Sequence, residues 1–385
     1  MRTHDWFRSH SFHYRQFGNA RELGRIKRER EVSVSLILPT RNVAETIASV
    51  LDEVENLRRP NSRLIDQVIV IDADSTDGTV EIAQRYDVEV YSENVLMPEY
   101  GRAQGKGDAM WRGLSVASGD IIAFADTDTG NFCRQLVTGV VGCLVARPDI
   151  QFVKAAYRRP FTQATVSVPD GGGRVTELTA KPALNLLFPE LAGFVQPLAG
   201  EFGGTRDLMY SVPFFSGYAV EVGMLIDVLD RCGLSAMAQV DAGMRKNRHQ
   251  DLGNLSRMGY AVLRAVLVRA MQRRLGVGAG LSADSWTETE AGSYLHAVAA
   301  ARGVQLDEYA EMLIERPPMR VALGIEDAVE AVLDGAVLDG AVLGDGVLGD
   351  GVLGDGVLGD GVLTEGTLGD ARMGETAASE SVVTA

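Results

Sequence analysis

Asp126-Thr127-Asp128 closes the apolar run Ile121-Ile122-Ala123-Phe124-Ala125. The run reads as a buried strand, so two carboxylates leave its C-terminal end. Ligands of open α/β sheets bind outside that edge. Paired carboxylates there suit a hard divalent cation, which is usually shared with substrate phosphates. An isolated acid-x-acid triplet is common in loops. Here it is the third of three strand-end polar clusters, after Pro39-Thr40-Arg41-Asn42 and Asp72-Ala73-Asp74-Ser75.

Further groups could serve the same chemistry. Lys106 stands between two glycines just before a helix, where a cation and backbone N–H groups can approach a phosphate. The G-x-x-x-x-G-K-[ST] spacing of nucleotide hydrolases is missing, and the plain alternative is a surface lysine in a turn. Gly171-Gly172-Gly173-Arg174-Val175-Thr176 offers backbone donors, a guanidinium and a hydroxyl to a small phosphorylated or carboxylated anion. Its alternative is a hairpin turn with an exposed arginine. Arg245-Lys246-Asn247-Arg248-His249 concentrates basic groups. His249 could ligate a metal, and Arg245 or Arg248 could meet phosphate; a basic helix start is the alternative. The other histidines have no acidic or thiol companions at ligand spacing. There is no Gly-x-Ser-x-Gly elbow and no His-Glu-x-x-His. No Gly-x-Gly-x-x-Gly follows the first strand, which argues against a dinucleotide dehydrogenase.

The elements that must position these residues alternate. Strands are expected at 32–38, 67–71 and 88–91 and before Asp126, with helices near 45–57, from 80, and over 109–117. Val-Ser-Val-Ser-Leu-Ile-Leu reads as a first strand ended by Pro39, and Gln-Val-Ile-Val-Ile has the continuous apolar character of a strand buried on both faces. The β-α-β-α-β-α-β order predicts an α/β fold with a mostly parallel, doubly wound, Rossmann-like sheet. A helix is expected over 135–148, a strand over 151–156 and a helix over 251–275. Residues 178–240 read as mixed helix and loop, and 285–330 as helical in composition.

The organisation read from this is an N-terminal arm (1–30), a first α/β part (31–130), a second, smaller part (131–280), a helical extension (281–330) and a repeat tail (331–385). The arm carries Trp6, Phe7, Phe12, Tyr14 and Phe17, so it is expected to pack on the body or on a partner. Val-Leu recurs every five residues from 332 to 362. That period is too short for helix-pair solenoids. Its glycine content makes disorder the reading, with a short β-coil as the alternative.

Of 385 residues, 46% are apolar and the net charge is −15. That content supports a real core, and the charge argues against a nucleic-acid partner. Three unpaired cysteines suit reduced thiols in the cytoplasm. Neither a signal peptide nor an apolar stretch of about 20 residues is visible, so no membrane insertion is expected.

Taken together, the strand-end clusters and Gly105-Lys106-Gly107 resemble GT-A nucleotide-sugar glycosyltransferases. Val153-Lys154, Tyr157-Arg158-Arg159-Pro160, residues 171–177, Gln196-Pro197-Leu198, Gly200-Glu201 and Gly217-Tyr218-Ala219-Val220-Glu221 are similar to actinobacterial glucosyl-3-phosphoglycerate synthases over roughly 30–275. The resemblance implies a retaining transfer of glucose from a nucleotide sugar, UDP-glucose favoured, to the 2-hydroxyl of 3-phosphoglycerate. The sister activity uses GDP-mannose, and a non-catalytic nucleotide-sugar-binding scaffold is the alternative from another class. A divalent cation, Mg2+ or Mn2+, and a homodimer are implied. Pro39, Thr40 and Arg41 would line the nucleoside site, with Ser75, Lys106 and Thr127 completing the donor pocket. Asp126 and Asp128 would reach the diphosphate, with Asp128 the direct metal ligand and Asp126 and His249 beside it. Gly173, Arg174, Thr176 and Asn247 would hold the acceptor, and Glu201 would assist electrostatically near the sugar. Two positions depart from the family pattern. Val43 replaces the usual glutamate after Asn42, and Asn247-Arg248-His249 reverses the usual His-Arg-Asn order. Which of Asn247 and His249 meets the metal stays open at this level.

Overall fold

Alternate residues of the central strands enter two different apolar layers. Ile37, Ile69, Ile71, Ile122 and Phe124 pack into one, and Leu36, Leu38, Val68, Val70 and Ala123 into the other. A strand with both faces covered has no polar phase, which is why these runs read as continuously apolar. Met110, Trp111 and Leu114 of helix Lys106–Leu114 cover the first face. Helices Ile47–Arg58 and Gln135–Ala146 cover the second.

The computed structural model describes residues 1–163, 166–168, 172–245, 250–273, 292–300, 303–311 and 313–325. Asn247, His249 and the repeat tail lie outside the described residues. The strands in chain order are β1 (Ser11–His13), β2 (Val34–Thr40), β3 (Gln67–Asp72), β4 (Glu89–Ser92), β5 (Ile121–Phe124), β6 (Phe152–Arg158), β7 (Phe161–Gln163), β8 (Val166–Val168), β9 (Phe202–Thr205), β10 (Phe214–Phe215), β11 (Met237–Met244), β12 (Gly292–Ala300), β13 (Gly303–Glu311) and β14 (Glu315–Arg316). Eight of them form one sheet in the order β1-β11-β6-β9-β5-β2-β3-β4. All neighbours are parallel except β9, which runs antiparallel to both β5 and β6. The expected mostly parallel, doubly wound sheet is therefore present.

Three features differ from the sequence reading or complete it. β9 lies in the stretch read as helix and loop. It is four residues long with two glycines, and glycine weakens any strand signal. Gly203 is needed there, because a Cβ would come within 2.8 Å of the Ile122 carbonyl oxygen on the neighbouring strand. The N-terminal arm packs on the body: Trp6 is fully buried, and its indole N–H donates to the Met237 carbonyl at 2.8 Å. The helical extension over 281–330 is overturned over β12 and β13, which form an antiparallel hairpin, whereas Met319–Ala322 is a short helix. Alanine content favoured a helix. The pairing instead sets Tyr294 opposite Tyr309, with ring centroids 6.5 Å apart, and Tyr260 packs on Tyr294. Cross-strand aromatic contacts of this kind outweigh intrinsic propensity.

Candidate active site

Because β2, β3 and β5 are parallel and in register, their polar ends open on one sheet edge. A cleft of about 820 Å³ lies there, lined by Pro39, Thr40 and Arg41 from β2, by Ala73 and Asp74 from β3, and by Asp126, Thr127 and Asp128 from β5. Side chains brace these ends. The buried Thr127 hydroxyl donates to the Pro39 carbonyl at 2.9 Å, and Thr46 donates to the Thr127 carbonyl at 2.6 Å. The Asn42 N–H donates to the Ser75 hydroxyl, and the Thr76 N–H donates to the Asn42 side chain. Asn42 and Asp74 both have φ near +50°. Left-handed backbone of this kind is tolerated by short amide and acid side chains, and here it turns two adjacent strand ends into the cleft.

The floor is a chain of opposite charges. Lys106, first residue of its helix, contacts Asp126 Oδ1 at 2.5 Å and Glu221 Oε1 at 2.7 Å. Arg245, fully buried, donates to Asp126 Oδ2 at 2.9 Å, to Glu201 Oε2 at 2.6 Å and to the Tyr157 hydroxyl at 2.9 Å. It also lies 3.5 Å from Asp128 Oδ1. Burial disfavours the Asp126 carboxylate, yet Lys106 and Arg245 outweigh it and hold the acid well below its ordinary range. Burial pushes Glu201 the other way, above its ordinary value, against the pull of Arg245. Gly200 lies against this chain, since a Cβ there would fall 2.2 Å from Asp126 Oδ1 and 2.4 Å from Lys106 Nζ.

Among the described residues, this cluster sets four carboxyl groups, Glu221, Asp126, Asp128 and Glu201, against the two cations Lys106 and Arg245. Both Asp126 oxygens are engaged by cations. The Asp128 side chain is 60% exposed and faces the cleft. Excess carboxylate with one accessible acid is a donor set that fits a divalent cation at Asp128. No group of three or more metal-binding side chains occurs among the described residues.

Gly173, Arg174 and Thr176 also line the cleft. Gly173 has φ +72°, and its carbonyl accepts the Glu177 N–H at 3.0 Å. A helical run therefore begins at Arg174 and continues through a π segment, Thr176–Ala180, into helix Lys181–Leu187. The start of a helix favours an anion, and π segments recur at functional sites. Arg174 donates to the Gln250 carbonyl at 3.0 Å, which joins this segment to the chain beyond 245–249.

Of the candidate residues, Pro39, Thr40, Arg41, Lys106, Asp126, Thr127, Asp128, Gly173, Arg174 and Thr176 all line one cleft. Ser75 stands behind it as a loop brace, and Glu201 lies beneath it, fully buried against Arg245. Sequence reasoning assigned no role to Glu221, Tyr157 or Glu93, which the fold brings to the same region. Glu93 directly follows β4, so the strand-end rule that marked Asp126 could have marked it.

The model of glycosyl transferase family 2 matches residues 35–130. The chain is 40% identical over 259 residues to the glucosyl-3-phosphoglycerate synthase of Petrotoga mobilis, covering 67% of this chain and 80% of that protein. A crystal structure of mannosyl-3-phosphoglycerate synthase from Rubrobacter xylanophilus superposes with a TM-score of 0.74 at 53% identity, covering 82% of this chain and 98% of that one. A structure of the Mycobacterium tuberculosis glucosyl-3-phosphoglycerate synthase, in complex with Mn2+, UDP and phosphoglyceric acid, has a TM-score of 0.67 at 35% identity, covering 79% and 95%. With its strand-end carboxylates, its GT-A-like sheet and these relatives, the chain belongs to the glucosyl-3-phosphoglycerate synthase family.

Proposed function

We propose that this protein transfers glucose from UDP-glucose to the 2-hydroxyl of 3-phosphoglycerate, giving glucosyl-3-phosphoglycerate and UDP. The observation that carries this reading is the cleft itself. Accessible Asp128, the cations Lys106 and Arg245 and the Arg174 helix start all line it. The M. tuberculosis relative has been captured with Mn2+, UDP and phosphoglyceric acid together.

In this reading 31–130 bind the donor and 131–280 the acceptor. Asp128 would hold a Mg2+ or Mn2+ ion, with Asn247 or His249 as a further ligand, and the ion supplies charge neutralisation at the diphosphate. Lys106 and Arg245 add positive charge where the leaving group gains negative charge, the arrangement that most lowers such barriers. Arg174 and the N–H groups at its helix start hold the acceptor's phosphate or carboxylate. The acceptor oxygen bonds to the anomeric carbon as the bond to the diphosphate oxygen breaks. The hydroxyl proton passes to that departing oxygen on the same face, so configuration is retained. Glu201 acts through Arg245, which it orients. We also read the protein as a cytoplasmic homodimer; light scattering of the purified protein tests the dimer.

The 53% identity to the R. xylanophilus structure favours a second reading, mannosyl transfer from GDP-mannose. Incubating the purified protein with 3-phosphoglycerate, Mn2+ and UDP-glucose, GDP-glucose or GDP-mannose separates the two. Fastest turnover with UDP-glucose is expected. Faster turnover with GDP-mannose replaces the first reading by the second, and tight nucleotide binding with no product from any donor points to a non-catalytic scaffold.

A further inference from the structure

Glu93 is buried to 7% exposure, lines the cleft, and has one carboxyl oxygen, Oε2, buried without a hydrogen-bond partner. An unsatisfied buried carboxyl oxygen is costly and calls for a reason. The nearby cations do not supply one. The guanidinium of Arg112 is spent on the carbonyls of Leu96, Met97, Gly101 and Glu93 and on the Asp108 side chain. Arg102 pairs instead with Asp74.

The place of Glu93 in the sheet says what would satisfy it. Asp126 follows β5 and Glu93 follows β4, with β2 and β3 between them. At about 4.8 Å per strand, three steps put the two sheet positions roughly 14 Å apart along the cleft, the scale of a nucleoside diphosphate laid across the strand ends. If the diphosphate lies at Asp126 and Asp128, the nucleobase lies toward Glu93.

We propose that Glu93 reads the nucleobase of the donor, its carboxyl group facing the hydrogen-bonding edge of the ring. This rests on the reading of the cleft as a nucleotide-sugar site. Burial, then the Asp108 and Asp74 carboxylates, push the Glu93 acid up to about 7, against Arg112 and Arg41. A neutral acid offers one O–H donor and one acceptor. That pair matches the imide edge of uracil, where an N–H lies beside a carbonyl. The exposed Arg102 guanidinium, also on the lining, is placed to cover a ring face.

The test is a binding cycle that needs no turnover. Calorimetry with Mn2+ measures UDP and N3-methyl-UDP, which lacks the imide N–H, on the wild type and on Glu93→Ala and Glu93→Gln. The wild type should bind the methylated nucleotide at least about tenfold more weakly, since sites built around a hydrogen bond reject partners that lack it. Glu93→Gln should keep that preference, and Glu93→Ala should bind both equally. A preference that survives in Glu93→Ala overturns the proposal. So does an equal loss of both nucleotides in that variant with its folding intact. If the wild type binds GDP in place of UDP, the donor reading fails, and GDP against N1-methyl-GDP reads Glu93 in the same way.

Discussion

Two buried arginines in this molecule are each held by carboxylates, and they do different things. Arg269 on helix Leu252–Gln272 meets Asp227 at 2.6 Å and Glu315 at 3.0 Å, and its guanidinium lies over the Phe215 ring. That cluster ties three elements together with both acids engaged. Arg245 instead shares one guanidinium among Asp126, Glu201, Asp128 and Tyr157, and Lys106 is similarly divided between Asp126 and Glu221. Both clusters set two acids against each cation, but neither acid of the first lines the cleft, whereas the second opens into it through Asp128. The difference separates an ion pair that holds a fold from one that awaits a ligand.

The sharpest way to break the comparison is to remove each arginine. Arg245→Met should lower kcat/KM for transfer by about 10²- to 10³-fold or more, the loss seen when a preorganised charge stabiliser is deleted. Arg269→Met should cost about 3–5 kcal/mol of stability, because it leaves buried acids uncompensated, yet leave kcat/KM per folded molecule within about threefold. Initial rates and urea unfolding of the two variants read both. If Arg269→Met abolished transfer in folded protein, the two clusters would not differ in kind.

A second contrast uses two glycines. Gly200→Ala forces a methyl into Asp126 and Lys106, and misplacement on that scale should cost about 10²-fold in rate. Gly259→Ala, in the helix that carries Arg269, meets only ordinary contact at 3.4 Å from Thr179. It should leave the rate unchanged and raise stability by up to about 1 kcal/mol.

The smallest effect concerns Lys154, buried beneath the open cluster, with its Nζ donating to the Ala199 carbonyl at 2.8 Å. Burial lowers its pKa from 10.5 to about 7. Between those values the unfolded chain binds more protons than the folded one, so this group makes stability rise with pH, by at most about 1.4 kcal/mol per unit. Urea midpoints at pH 7, 8 and 9 should show that Lys154→Met removes part of the wild-type rise. An identical pH dependence in the variant would refute the assignment.

Much of this architecture is legible in the chain, and for a local reason. Pro39, Asp72 and Asp126 each punctuate an apolar run, so strand, edge and ligand group are marked within a few residues. β9 was hidden because its pairing depends on two distant strands and its glycines carry no β signal. The hairpin β12–β13 was hidden because alanine-rich segments favour helix until aromatic partners are placed across from them. Glu221 reaches Lys106 from 115 residues away and Arg245 reaches Asp126 from 119, meetings that no local pattern announces. Glu93 is within reach of the strand-end rule, but the apolar-polar pattern ends the strand at Tyr91, two residues short of it.

The most direct measurement is the Mn2+ dependence of UDP binding, by calorimetry, in the wild type and in Asp128→Asn. The wild type should bind UDP at least about tenfold more tightly with Mn2+ than with EDTA, and Asp128→Asn should lose that gain while keeping its thermal midpoint. Equal Mn2+ enhancement in the variant would contradict the assignment of Asp128 as the cleft's metal ligand.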